Sequence, residues 1–262
     1  MGAHAYATTN LLSGLAAAAY TWSNGYAGSD RALVNDGRLD KRVVLGNVAV
    51  PFSVVLDLGS AQAVKGVALL NHNWQIGAPS SALAVTITGA DNAAMTTNPV
   101  TAKAASEFAT YLNLNTREPM NKDHVFQFAS VTKRYWRIAV SEGGGPTTIT
   151  AAAIGEIFFY GTVTSLTRKG IYGSGDGDKL LTSELELGNG ETRGIFFGGP
   201  VRRKTLRWQD FNSTQRDELR VMWLATQGNA AKLLFINSYE ATATAAANAE
   251  QDCIYGRLSG LT

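Results

Sequence analysis

Apolar and polar positions alternate with period two from Phe52 to Leu58, where Phe52, Val54, Leu56 and Leu58 are interleaved with Ser53, Val55 and Asp57. The pattern then changes to an unbroken apolar run, Val67–Leu70. Alternation marks a strand with one face buried, and an unbroken run marks burial on both faces. Gly59 and Ser60 lie between the two and predict a turn. Two strands of opposite exposure in tandem, one nearer an edge and one central, are what a β-sandwich requires.

The same pattern continues downstream. Leu83–Asp91 carries Leu83, Val85 and Ile87 on one face, and His124–Phe128, Arg134–Val140 and Ile154–Gly161 follow as short apolar stretches separated by turn-rich loops. No ordinary periodic helix interrupts residues 10–161, which predicts an antiparallel sandwich over that range. From about Ser165 the texture differs. Gly173–Asp178 and Gly188–Gly190 predict turns around a strand at Lys179–Leu187, and Arg193–Phe197 and Val201–Trp208 predict further strands. Asn212 is a suitable N-cap with Gln215 three residues later. Leu219, Met222, Trp223 and Thr226 share one face, and Gly228 closes the pattern, so a helix is predicted over about 212–227. Lys232–Asn237 and Cys253–Leu258 complete the second unit, 165–262. The fold class is therefore all-β, two sandwich units of which the second carries one helix. The arm 1–9 and the Ala/Thr-rich Glu240–Gln251 are expected to order only against neighbours.

In order along the chain, Asn10–Gly14 (NLLSG), the Asn35–Gly37 turn (NDG), Val54–Leu70 (VVLDLGSAQAVKGVALL) and the closing pair RYWRIAV and EIFFYG resemble the discoidin, or factor V/VIII type C, family. That resemblance implies a galactose-binding-like jelly roll over roughly residues 10–161. The phrase ALLNHN followed by TITGADNAA resembles a variant seen in bacteriophage tail proteins. The segment RRKTLRWQDFNSTQRDELRVMWLATQGNAAKLLFI resembles the β-sandwich domains of phage distal-tail and minor-tail proteins, which pack side by side into rings. Together these imply a structural component of a tail tip or baseplate, located in the virion. Its partners would be tail-tube and baseplate proteins and further copies of itself. The alternative is a carbohydrate-binding module that recognises host-surface glycans.

Composition narrows the chemistry. The chain has 262 residues, 45% hydrophobic and 17% charged, with net charge +2, which gives no electrostatic footprint for nucleic acid. It is long enough to bury a core without disulfides or metals, and Cys253 is the lone cysteine, expected as a small buried hydrophobe. No apolar run approaches the ~20 residues that span a bilayer, and Leu15–Tyr20 is too short for a secretory signal, so synthesis in the host cytoplasm is expected. The histidines are His4, His72 and His124. No G-x-S-x-G, H-E-x-x-H or Walker pattern accompanies them, and no enzyme is expected.

Three groups of residues remain as candidates. By resemblance, Asp36 and Glu156 match the turn acid and last-strand glutamate of the family's structural calcium site, while Arg38 and Lys41 fall where further oxygen ligands stand. The expectation is that a fixed cation, Arg38 or Lys41, pairs with Glu156 and that no calcium or other cofactor binds. A sugar site would need an aromatic platform beside polar donors. By family position the glycan candidates are Trp22, Tyr26, His72, Asn73 and Trp74, with Trp22 and Trp74 packing against a neighbour as the other reading. The loop Ser141–Thr148 has no aromatic. Arg202, Arg203, Lys204 and Arg207 form the one local basic cluster; strand alternation splits them between faces, which suits an interface better than a phosphate-binding stripe.

Overall fold

The computed structural model describes residues 3–39, 41–74, 83–107, 111–112, 119–120, 123–142, 148–166, 175–179, 182–186, 192–196, 201–205, 213–227, 231–239 and 253–257. Its first strands are β1 (Ala3–Ala7), β2 (Tyr20–Trp22), β3 (Val43–Ala49), β4 (Phe52–Leu70), β5 (Leu83–Ala90) and β6 (Val100–Glu107). Then come β7 (Tyr111–Leu112), β8 (Pro119–Met120), β9 (His124–Glu142), β10 (Thr148–Ile154), β11 (Glu156–Tyr160) and β12 (Thr164–Ser165). The remainder holds β13 (Gly175–Lys179), β14 (Thr182–Glu186), β15 (Thr192–Phe196), β16 (Val201–Thr205), helix α1 (Ser213–Ala225), β17 (Leu233–Tyr239) and β18 (Cys253–Gly256). Short 3₁₀ turns at Ala17–Ala19 and Ser29–Asn35 shape the loops before β3. The protein is all-β in class, and its first unit is a jelly-roll sandwich.

The jelly roll is organised by β4 and β9, which run antiparallel along their whole lengths, from Phe52 opposite Val140 to Leu69 opposite His124. The turn expected at Gly59–Ser60 is instead a bulge. The strand is continuous, and its register slips between Asp57 and Gln62. This divides the sheet into two halves. The first half of β4 also pairs with β2, its second half pairs with β11, and β9 continues to β5 and β6. The facing pair β3 and β10 closes the other side. Between them lies the main core, which includes Trp22, Trp74, Trp136, Phe126 and Phe159.

The apolar run Val67–Leu70 is buried throughout, as its pattern requires, and the reason is a second core. Val67 and Leu69 face the jelly-roll interior, whereas Ala68 and Leu70 face a separate cluster with Val125, Phe158 and Tyr160. That cluster is completed from elsewhere in the chain by Ala7, Leu234, Ile236 and Cys253. The strand β11 repeats the arrangement: Ile157 and Phe159 point into the first core, Phe158 and Tyr160 into the second. Gly66 stands opposite Tyr160, and a Cβ there would lie 2.2 Å from the tyrosine hydroxyl, so only glycine admits this ring.

The other wall of the second core is a four-stranded sheet in the order β12-β1-β17-β18. Here the structure departs from the expectation of an arm at residues 1–9. Ala3–Ala7 is a strand between β12 and β17, with Ala5, Tyr6 and Ala7 all buried. The sequence AHAYA is short and weakly apolar, and it is the sheet on either side that makes it a strand. The far face of this sheet packs Tyr6, Leu166, Leu233 and Phe235 against Met222 of α1, with Leu219 beside them. Thr226 closes the end of α1, its hydroxyl donating to the carbonyls of Met222 at 3.1 Å and Trp223 at 3.0 Å. The segment Glu240–Gln251 lies outside the described residues, as do Asn212 and Gly228.

Candidate functional site

Among the described residues, a well-defined polar site forms where the discoidin resemblance implies calcium. The 3₁₀ turn Ser29–Asn35 delivers the chain into Asp36 and Gly37, and β11 begins with Glu156 directly beneath. Glu156 is buried within a run of apolar neighbours, and the carboxylate is satisfied by two donors. The Gly37 amide donates to Oε2 at 2.9 Å and the Asn10 side-chain amide donates to Oε1 at 2.9 Å. Asn10 is itself held, its Oδ1 accepting from the amides of Leu12 at 3.1 Å and Phe159 at 3.0 Å. Burial pushes the Glu156 carboxyl up to about 8, against the lowering effect of those two donors and of Lys232.

A cation that the sequence reading did not anticipate also reaches this turn. Lys232, immediately before β17, donates through Nζ to the carbonyl of Gly37. Its ammonium also lies 5.4 Å from the centre of the Tyr255 ring. The Arg38 backbone amide donates to Asp36 Oδ1 at 2.8 Å. Gly37 has φ +72°, which favours glycine, and a Cβ on it would lie 3.2 Å from the Tyr255 hydroxyl, which would have to give by a few tenths of an ångström. Sequence reasoning found Asp36 and Glu156 but missed Lys232 and Tyr255. Those two lie some 195 residues or more away from the turn, and no local pattern links them to it. No group of three His, Cys, Asp or Glu side chains able to hold a metal is found among the described residues.

The glycan candidates are brought near one another in part, but mostly inward. Trp74 is fully buried, meeting Phe52 edge-on at 5.3 Å, and Trp22 is buried in the same core. Neither presents a ring face to solvent, so neither serves as a sugar platform. His72 is buried as well. Its Nδ1 accepts from the Trp74 amide at 3.3 Å, which leaves Nε2 to carry the proton and donate to His124 Nδ1 at 3.1 Å. Asn73 ties the loop to β10, donating to the Ala151 carbonyl at 2.9 Å and accepting from the Ala153 amide at 2.8 Å. These three residues act as a plug at the end of the sandwich. The sequence signal that could have shown this is the apolar run just before them, which carries the chain inward. Tyr26 alone of the aromatic candidates is partly exposed; its hydroxyl donates to Asp30 Oδ1, and burial with that carboxylate pushes the phenol up to about 12.

The basic cluster falls on β16. Arg202 is in register opposite Asp178, and Lys204 opposite Asp176, while Arg203 faces Gly177. Gly175–Asp178, expected within a turn, therefore belongs to the strand β13, whose acids share register positions with the bases. Arg207 lies outside the described residues. A groove of about 280 Å³ lies beside the middle of β4, lined by Thr9, Leu11, Gln62, Ala63, Gly161 and Thr162. No helix among the described residues is long and apolar enough to cross a membrane.

Comparison with family models gives no match, and comparison with curated proteins gives none. Solved structures do match. Chitosan-binding module 1 of a chitosanase/glucanase from Paenibacillus sp. IK-5 is 21% identical, with 58% of this chain and 99% of that chain covered and a TM-score of 0.40. A pectin binding carbohydrate binding module is 18% identical, with coverage of 54% and 88% and a TM-score of 0.36. CpGH89CBM32-5 from Clostridium perfringens, solved with GalNAc-β-1,3-galactose, is 12% identical, with coverage of 54% and 93% and a TM-score of 0.36. This chain is thus similar to carbohydrate-binding β-sandwich modules, at identities and TM-scores that carry no argument about its ligand.

Proposed function

We propose that this chain is a non-catalytic docking protein, a structural component of a long-tailed bacteriophage tail tip or baseplate that assembles symmetrically with further copies of itself and with tail-tube neighbours. The observation that carries this reading is the shared wall of the two cores. The jelly-roll face formed by Ala68, Leu70, Val125, Phe158 and Tyr160 is covered by a sheet into which the first strand of the chain is threaded. A body sealed in this way transmits load between its halves, which suits a part placed in a ring. The residue resemblance of the second unit to tail proteins points the same way. The residence in the virion, and the absence of any required metal or cofactor, belong to the same proposal.

Glycan recognition is the second reading, favoured by Tyr26, which combines a partly exposed ring with an adjacent acid and Arg31. Antibody labelling of virions together with a glycan array on the purified chain tests both. The first reading expects label at the tail end and no glycan signal. A glycan signal abolished by Tyr26→Ala, with no label on the particle, would replace it with the second.

A further inference from the structure

The turn at Asp36–Gly37 is the place where the discoidin resemblance implies a calcium ion, and its atoms do not fit one. Calcium takes six to eight oxygen ligands at about 2.3–2.6 Å. Here the Gly37 carbonyl is bound by the Lys232 ammonium. Each Glu156 oxygen accepts an N–H, from Asn10 and from Gly37, and Asp36 Oδ1 accepts the Arg38 amide. Three of the four carboxyl oxygens of Asp36 and Glu156, and the Gly37 carbonyl, thus each accept a hydrogen already, and a divalent ion bound through that carbonyl would meet the Lys232 ammonium. The Lys232 ammonium donates to the Gly37 carbonyl and places one positive charge near the Glu156 carboxyl, so the turn already carries a cation.

Lys232 comes from the C-terminal sheet, whereas Asn10, Asp36, Gly37 and Glu156 belong to the jelly roll. Tyr255 of β18 lies alongside, its ring 5.6 Å from Phe158 in the second core and its hydroxyl against Gly37. We infer that Lys232 is the resident cation of the Asp36–Gly37 turn, so that docking of the C-terminal sheet does for this jelly roll what a divalent ion would otherwise do. The turn and the seam are then ordered together, and the folded protein is indifferent to calcium.

The test is thermal unfolding of the full chain in millimolar calcium chloride and in EDTA, together with tyrosine-sensitised terbium luminescence. Wild type is expected to melt at one temperature in both solutions and to give no stoichiometric terbium signal. Lys232→Met keeps most of the side chain's apolar stem and removes the charge and donors, and is expected to lower Tm by roughly 3–8 °C. A wild-type Tm raised by calcium, saturable terbium luminescence from wild type, or an unchanged Tm in Lys232→Met would each overturn the inference. If the variant is recovered only as insoluble protein, the wild-type calcium and terbium measurements decide the matter alone.

Discussion

Phe158 and Phe159 are adjacent on one strand and point into different cores, which makes them a paired probe of how the two halves are joined. Phe158 is buried at the seam with its ring 5.6 Å from Tyr255, and Phe159 is buried in the jelly roll 5.8 Å from Trp136. Truncating either to alanine removes a full aromatic side chain from a close-packed site, at a cost of about 3–5 kcal/mol. The reporter is Cys253, the sole cysteine, buried in the seam core. Its thiol reacts only when that core opens, so its labelling rate follows the opening free energy when reclosing is fast. A loss of that size accelerates labelling by roughly two to three and a half orders of magnitude. Because β11 serves both cores, Phe159→Ala is expected to accelerate Cys253 labelling about as much as Phe158→Ala does. Tryptophan fluorescence, to which three of the five tryptophans (Trp22, Trp74 and Trp136) contribute from the first core, should report the loss of stability in step. Labelling that responds to Phe158→Ala and ignores Phe159→Ala would refute the joined-core reasoning.

Three further outcomes are expected. Gly37→Ala places a Cβ at φ +72° and against the Tyr255 hydroxyl, and should lower stability by about 1–3 kcal/mol in urea unfolding, with Lys232 no longer held at the turn. Trp74→Ala should cost about 3–5 kcal/mol in the same assay, because the ring is core and not a sugar platform; a fully stable variant would restore the platform reading. Glu156, pushed up to about 8 from an ordinary value of 4.5, holds a proton in the folded chain that the unfolded chain has released. Its contribution is therefore complete below about pH 4.5 and is lost as pH rises through 8, with a slope of at most about 1.4 kcal/mol per pH unit. Unfolding midpoints measured from pH 5 to 9 should fall for wild type relative to Glu156→Gln, which has no proton to lose, and parallel curves would count against the assignment.

The sandwich was legible because its strands carry their own pattern. Phe52, Val54, Leu56 and Leu58 are buried on one face as their alternation requires, and the Val67–Leu70 run announced two covered faces without saying what covers the second. The helix at Ser213–Ala225 was legible for the same reason, since Leu219, Met222 and Thr226 share one stripe. The strand at Ala3–Ala7 was not, because AHAYA has no pattern of its own and owes its conformation to Phe235 and Leu234 across the sheet. At the polar site, Asp36 and Glu156 were found by their order in the chain. Lys232 was hidden because a lysine beside an apolar strand is normally a solvated flank, and only the packing of the second sheet brings it to Gly37. Trp22, His72 and Trp74 misled because sequence places a residue in a loop without saying which way the loop turns.

The most direct measurement is native-state hydrogen exchange of the amides of β1. Paired to β17 from Ala3 to Ala7, and covered by both the seam core and the helix-side core, Ala5, Tyr6 and Ala7 should be protected to within about 1–2 kcal/mol of the β4–β9 ladder. Exchange of those amides at the rate of a free peptide, with the β4–β9 amides still protected, would contradict the account of one body built around two cores.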